Sequence, residues 1–174
     1  MPPNAYVNGK ILNKNALVKL IRDKLSENKI KTATTHAIIS SSEILIREII
    51  IPKVSQEEIK SVVNYQIADY LPIKIEEYAV QYLIQGNIFE GDTEKIKILL
   101  LAIPKDMVFS HLELLESAGL KPAILDYQGN SMAKLLDFND NINQKYPVQD
   151  LAIASIDMGI RIPKLPLLKM VKLR

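Results

Sequence analysis

SQEEIKSVVNYQIADYLPI, Ser55 to Ile73, reads as one helix with both of its ends specified. Ser55 followed three residues later by Glu58 is a capping box. Ile59, Val62, Val63, Ile67 and Tyr70 recur at i, i+3, i+4, i+8 and i+11, an apolar stripe with Lys60, Asn64 and Asp69 on the wet side. Leu71-Pro72 stops the helix, because the residue before proline is pushed out of the α region. Long β-branched runs lie on both sides, from Ile44 to Ile51 and from Tyr78 to Ile84, so the helix is predicted to lie across a small sheet.

Working outward, Glu43 to Ile51, Ala79 to Gln85 and Lys95 to Ile103 are predicted strands, with GNIFEGDTE a polar connection between the last two at hairpin-like spacing. A helix from about Asp106 to Ala118 turns Val108, Leu112 and Leu115 inward and is closed by Gly119 at C′. Towards the N-terminus, Asn8-Gly9 is a hairpin signal. Asn13 is an N-cap, Leu12 and Leu17 form a hydrophobic staple, and Leu17, Leu20, Ile21 and Leu25 are the buried face of a helix reaching about Asn28. His36 to Ser40 is a buried strand. Beyond Gly119, Lys121 to Tyr127 and Asp150 to Asp157 are strands, Ser131 to Phe138 is a helix, and DFNDNINQKYPVQ is a polar loop. Strands alternating with helices at these spacings imply an α/β fold with a parallel sheet, into which the antiparallel block near residues 43–118 is inserted.

Composition narrows the function. The 174 residues are 48% hydrophobic and 6% aromatic, an aliphatic core with little surface for stacking bases. No window approaches the roughly 18 apolar residues of a membrane span, and MPPNAYVNGK has no signal-peptide character, so the expected compartment is the cytoplasm. The absence of cysteine excludes disulfides and thiolate metal sites. The net charge of +2 is uneven: residues 160–174 carry five bases and no acid, leaving 17 bases against 20 acids in the body. A mildly acidic body gives no support to nucleic-acid binding. With Pro163 and Pro166 and no sustained period, the tail is expected to be irregular.

Asp157-Met158-Gly159 is the sharpest chemical candidate, since an Asp-x-Gly turn after a buried strand can present N–H groups to a phosphate and a carboxylate to a Mg²⁺-bound water. Taken alone the motif is weak, because Asp and Gly end strands for turn reasons, and turn preference is the favoured reading of these residues. Neither GxxxxGK[ST] nor GxGxxG occurs. His36 and His111 have no ligand or triad partners in the sequence, Ser40, Ser41 and Ser42 lack a nucleophile elbow, and the adjacent Glu76 and Glu77 point apart. The chain is therefore not expected to be an enzyme, with no catalytic and no metal residue. Tyr65, Tyr70, Leu71 and Pro72 resemble a surface able to hold an apolar peptide, although the same residues could pack within the domain itself.

Taken in order, NGKI plus helix, HAIISSSEILIREIIIP, VSQEEIKSVVNYQIADYLPI, VQYLIQ, KILLLAIPKDMV, LLESAGLKPAILD and IDMG resemble the PilM family of actin-like type IV pilus assembly proteins. The cell-division relatives typified by FtsA share the architecture and are the alternative, an ATP-binding actin-like protein. The Tyr-Leu-Pro step is closer to PilM. The resemblance implies a partial actin-like (ribonuclease H-like) sheet, residues 1–42 and 120–159, carrying an inserted strand-helix-strand-strand interaction subdomain at 43–119. It implies a cytoplasmic scaffold, peripheral to the inner face of the membrane. This scaffold binds the N-terminal tail of PilN in a groove beside the insertion, through Tyr65, Tyr70, Leu71 and Pro72, and so joins the inner-membrane platform indirectly. The full-length family is associated with ATP and Mg²⁺. Here an opening D-x-G-x-x-x-x-K loop does not precede Asn8, and Asp157 and Gly159 form an incomplete phosphate loop, so no cofactor is expected in this chain. Residues 160–174 depart from the family's Thr/Asn-rich hairpin. Read two bases later with AT-rich codons they give KNTKITIIKNGKIK, so the chain is expected to be truncated at both ends, with a frameshifted basic tail.

Overall fold

The backbone turns at Asn8 and Gly9, both at positive φ (47° and 84°), the requirement of a type I′ hairpin. The turn joins β1 (Tyr6–Val7) to β2 (Lys10–Ile11) in antiparallel register. The computed structural model describes residues 2–31, 34–71, 73–139, 141–142, 145–147, 152–154, 157–158, 163–164 and 167–169. These fall into two compact units, residues 1–36 with 40–124, and residues 37–39 with 125–174.

In the first unit, α1 (Lys14–Glu27) starts where Asn13 Oδ1 accepts the Ala16 amide at 3.0 Å, the predicted N-cap. Leu17 is buried beside Ala5 and Leu114. Leu12 is instead 60% exposed, so the predicted staple with Leu17 is not built; Leu12 and Asn13 both bond their amides back to the Ala5 carbonyl, which fixes the chain entry without an apolar contact. After β3 (Thr34–Ile39) comes β4 (Leu45–Pro52), then α2 (Gln56–Tyr70), a 3-10 turn at Ile75–Glu77, β5 (Tyr78–Glu90), β6 (Thr93–Pro104) and α3 (Lys105–Ser117). The predicted strand-helix-strand-strand run lies wholly in this unit.

β4, β6 and β5 form an antiparallel sheet in that order, with Ile49 opposite Ile98 and Ile98 opposite Ile84. Alternation sends Ile49, Ile51, Ile96, Ile98, Leu100 and Ala102 to one face. There they meet Ile59, Val63, Ile67 and Leu71 of the central helix. Each Ile, Val or Leu side chain so removed from water contributes about 1.5–3 kcal/mol, so this layer holds the unit together. GNIFEGDTE is not a loop: β5 runs to Glu90, and only Gly91 and Asp92 turn the chain. A shift in register at Ile84/Gly86 absorbs one residue, and Gly91 at φ 59° takes the first position of a two-residue turn. The polar side chains misled the reading because this outer end of the hairpin is exposed on both faces.

α3 follows β6 directly and ends in a Schellman motif, with Gly119 N–H on the Glu116 carbonyl (2.9 Å) and Leu120 N–H on that of Leu115 (3.0 Å). Its buried stripe is Met107, His111, Leu114 and Leu115, rotated from the predicted Val108, Leu112 and Leu115. The rotation comes from His111, which is buried although polar, and from Met107, which packs near Gly9.

β7 (Lys121–Tyr127) lies beside β3, its neighbour across the whole β4 to α3 run. In the second unit, α4 (Gln128–Phe138) is followed by β8 (Asn141–Ile142) paired with β9 (Tyr146–Pro147). Next come β10 (Ala152–Ala154), β11 (Asp157–Met158), β12 (Pro163–Lys164) and β13 (Leu167–Lys169). β10 pairs with β13 and β11 with β12, both antiparallel. The described parts of the tail are therefore strands rather than irregular chain. Pro163 opens its strand, a position where proline is tolerated.

Candidate functional site

The capping box begins the surface that the sequence singles out. The Glu58 carboxylate accepts the Ser55 amide at 3.0 Å and the Ser55 hydroxyl at 2.7 Å. These two bonds hold its carboxyl below the usual range. With Ile59, Val63 and Ile67 turned to the sheet, Glu57, Lys60, Ser61, Asn64, Tyr65, Ala68 and Asp69 are left facing water. Tyr65 is 87% exposed, an aromatic ring on the wet face; Tyr70, at the last helical position, is 39% exposed. Five residues on a helix separate them by about 140°, so they flank the helix rather than stack as one cluster.

Leu71 is only 1% exposed, and its amide bonds to the Ile67 carbonyl at 3.0 Å. It closes the core beneath the helix end, so its part in any contact is to fix where Tyr70 stands. Pro72 lies outside the described residues. Across residues 55–77 the acids Glu57, Glu58, Asp69, Glu76 and Glu77 outnumber the bases Lys60 and Lys74. Aromatic rings in an acidic surround suit a cationic, apolar segment.

The second predicted site fares differently. Asp157 stands in β11, opposite Lys164 of β12, and Gly159 lies outside the described residues. Of the residues that would hold ATP and Mg²⁺, only this strand position of Asp157 is described, and a paired strand is not a loop of amides turned toward phosphate. No group of three His, Cys, Asp or Glu at metal-binding proximity occurs among the described residues.

Three polar arrangements escaped the sequence reading. Tyr6 Oη stands 3.1 Å from His111 Nε2, and His111 Nδ1 is 2.8 Å from the Met107 carbonyl. Asn8 donates from Nδ2 to Ser42 Oγ (2.8 Å) and accepts the Ser42 amide at Oδ1 (2.9 Å), fastening the hairpin turn to the start of the sheet. Asp126, at the end of β7, accepts from Asn130 Nδ2 at both oxygens (2.9 and 3.0 Å), from Lys134 Nζ (2.9 Å) and from the Tyr127 amide (2.8 Å). Burial pushes the Asp126 carboxyl up, but these bonds and the Lys134 charge outweigh it and leave it below the usual range. The spacing of Asn130 and Lys134, i and i+4 on the first turns of α4, with Asp126 two residues before the helix, was the signal available. All three arrangements orient elements, and none presents a nucleophile beside a base.

Fold and surface together define an α/β protein with a helix-on-sheet module whose helix leaves Tyr65 and Tyr70 exposed. A family model described as type IV pilus assembly protein PilM matches residues 1–171. The chain belongs to this family rather than with the cell-division relatives. Among solved structures, a chain of a "PilM-PilN type IV pilus biogenesis complex" is similar at a TM-score of 0.72 and 20% identity, over 97% of this chain and 53% of that one. The chain thus spans about half the length of that solved relative.

Proposed function

We propose that this chain serves type IV pilus assembly as a scaffold, holding the N-terminal tail of a PilN-like partner along the helix-on-sheet module, with Tyr65 and Tyr70 of α2 as its contacts. The observation that carries the reading is the family match over residues 1–171, and the likeness to a PilM-PilN complex supports it. An amphipathic helix on a sheet normally buries its aromatics, whereas Tyr65 and Tyr70 stay on the surface while Leu71 fills the core between them. The acidic surround favours a tail with positive charge and predicts an association rate that falls with salt.

In this reading the protein is not an enzyme, and the chain binds no ATP: its sequence has no GxxxxGK[ST] loop, and Asp157 is engaged in a strand pair. No helix among the described residues is long and apolar enough to cross a membrane, and the partner's tail would hold the scaffold at the inner face of the cytoplasmic membrane. Fluorescence anisotropy of a labelled PilN N-terminal peptide tests this directly. Saturable binding, unaffected by ATP with Mg²⁺ and lost for a scrambled peptide, is expected; equal binding of the scrambled peptide would refute it.

A further inference from the structure

Charge divides along this chain. Residues 10–31 hold seven bases and two acids, a net of +5, whereas residues 32–157 hold ten bases and 18 acids, a net of −8. The basic segment is β2, the entry to α1, α1 itself and the turn after it. Lys10 pairs with Glu43 (2.6 Å), Lys14 with Glu113 (2.6 Å) and Lys24 with Glu27 (2.5 Å). Lys19, Lys29 and Lys31 are exposed and have no acid partner among the described residues. Two aliphatic side chains stand in water in the same segment. Leu12 precedes α1, and Ile30, 49% exposed, sits between Lys29 and Lys31 just past its end.

We propose that the Lys10–Lys31 segment is a second docking surface, for an anionic phospholipid bilayer, with Lys19, Lys29 and Lys31 at the headgroups and Leu12 and Ile30 entering the acyl boundary. Apolar side chains bracketed by ammonium groups are what interfacial segments use, since long lysine stems reach the headgroup layer while the aliphatic groups leave water. Residues 10–31 contain no aromatic side chain to stack a base, which favours a lipid surface over nucleic acid. The argument uses neither Tyr65 nor Tyr70, so it stands apart from the peptide-binding reading.

The test is co-sedimentation of the full chain with phosphatidylcholine vesicles containing about a third phosphatidylglycerol, against pure phosphatidylcholine, at low and high salt. Binding to the anionic vesicles alone, weakened by salt, is expected. Each lysine near the surface is worth about fivefold in partitioning, so a Lys19→Gln, Lys29→Gln, Lys31→Gln variant should lose about a hundredfold. A Leu12→Ser, Ile30→Ser variant should bind more weakly while keeping the salt dependence. The five bases of the tail are common to all these proteins, so the differences report on residues 10–31. An unchanged thermal midpoint in each variant shows that folding is not what is read. The proposal is overturned if the parent does not prefer anionic vesicles, if the triple variant binds as the parent does, or if duplex DNA or polyglutamate is bound as tightly as the vesicles. No peptide is present in this assay, so its failure leaves the partner-tail reading where it stood.

Discussion

The Tyr6 hydroxyl and His111 Nε2 lie 3.1 Å apart across a sequence separation of 105 residues, the two rings edge-to-face at 5.6 Å between centroids. Because the Met107 carbonyl can only accept, His111 Nδ1 carries the proton and Nε2 is the acceptor for Tyr6. A ¹⁵N–¹H correlation spectrum should therefore show the Nδ1–H tautomer. Tyr6→Phe should cost about 1–2 kcal/mol in urea unfolding, since it strands a buried imidazole nitrogen while keeping the ring. Burial pushes the Tyr6 hydroxyl above its ordinary value of 10.0. The unfolded chain ionises first, so this contribution is present below that value and is lost as pH rises through the folded one. Tyr6→Phe should flatten the alkaline fall in thermal midpoint.

Asp126 behaves in the opposite sense. Its folded pKa lies below the model-compound value of 3.8, so the stability it contributes is complete above that value and is lost as pH falls through the folded one. Asp126→Asn should remove this acid-limb dependence, and Lys134→Met should reduce it. Thermal midpoints measured from neutral pH down into the acid range read both, and a parent-like acid limb in Asp126→Asn would show that the carboxylate contributes nothing there.

Burial separates the central helix into two energetic classes. Ile67, fully buried against the sheet, should cost about 2–5 kcal/mol when truncated to alanine, and Tyr65→Ala less than about 0.5 kcal/mol. Comparable losses in urea unfolding would mean that the assigned face is wrong.

Gly9 is confined twice. A Cβ there would sit 2.7 Å from Ser41 Cβ and 3.0 Å from Met107 Cε, and its φ of 84° disfavours any side chain. Gly9→Ala should destabilise by about 1–3 kcal/mol, whereas Gly91→Ala, also at positive φ but with nothing within 4 Å, should lose only the backbone term. Equal thermal midpoints for the two variants would argue against the close approach of the hairpin to α3.

Local signals were legible in the sequence where one residue type satisfies one local need. Asn13 as N-cap, Ser55 and Glu58, Asn8-Gly9 and Gly119 all sit where their short-range chemistry placed them, and Ile59, Val63 and Ile67 followed from period alone. What depended on distant partners was not legible. His111 turns inward because Tyr6 and the Met107 carbonyl satisfy it, and no periodicity contains that fact. The outer half of the β5–β6 hairpin, not the hairpin itself, hid behind Asn87, Glu90 and Asp92, because an exposed ladder end can be as polar as a loop. Tyr70 extends the apolar stripe in sequence yet lies at the edge of the core, since Leu71 takes the last buried place.

Calorimetric titration of a PilN N-terminal peptide into the parent chain and into Tyr70→Ala, after showing equal thermal midpoints, bears most directly on the partner surface. Tyr70→Ala should bind more weakly by about 2 kcal/mol, roughly thirtyfold, as a partly buried aromatic anchor does on truncation. A folded Tyr70→Ala protein that holds the peptide as tightly as the parent would contradict the account and place the partner's tail elsewhere.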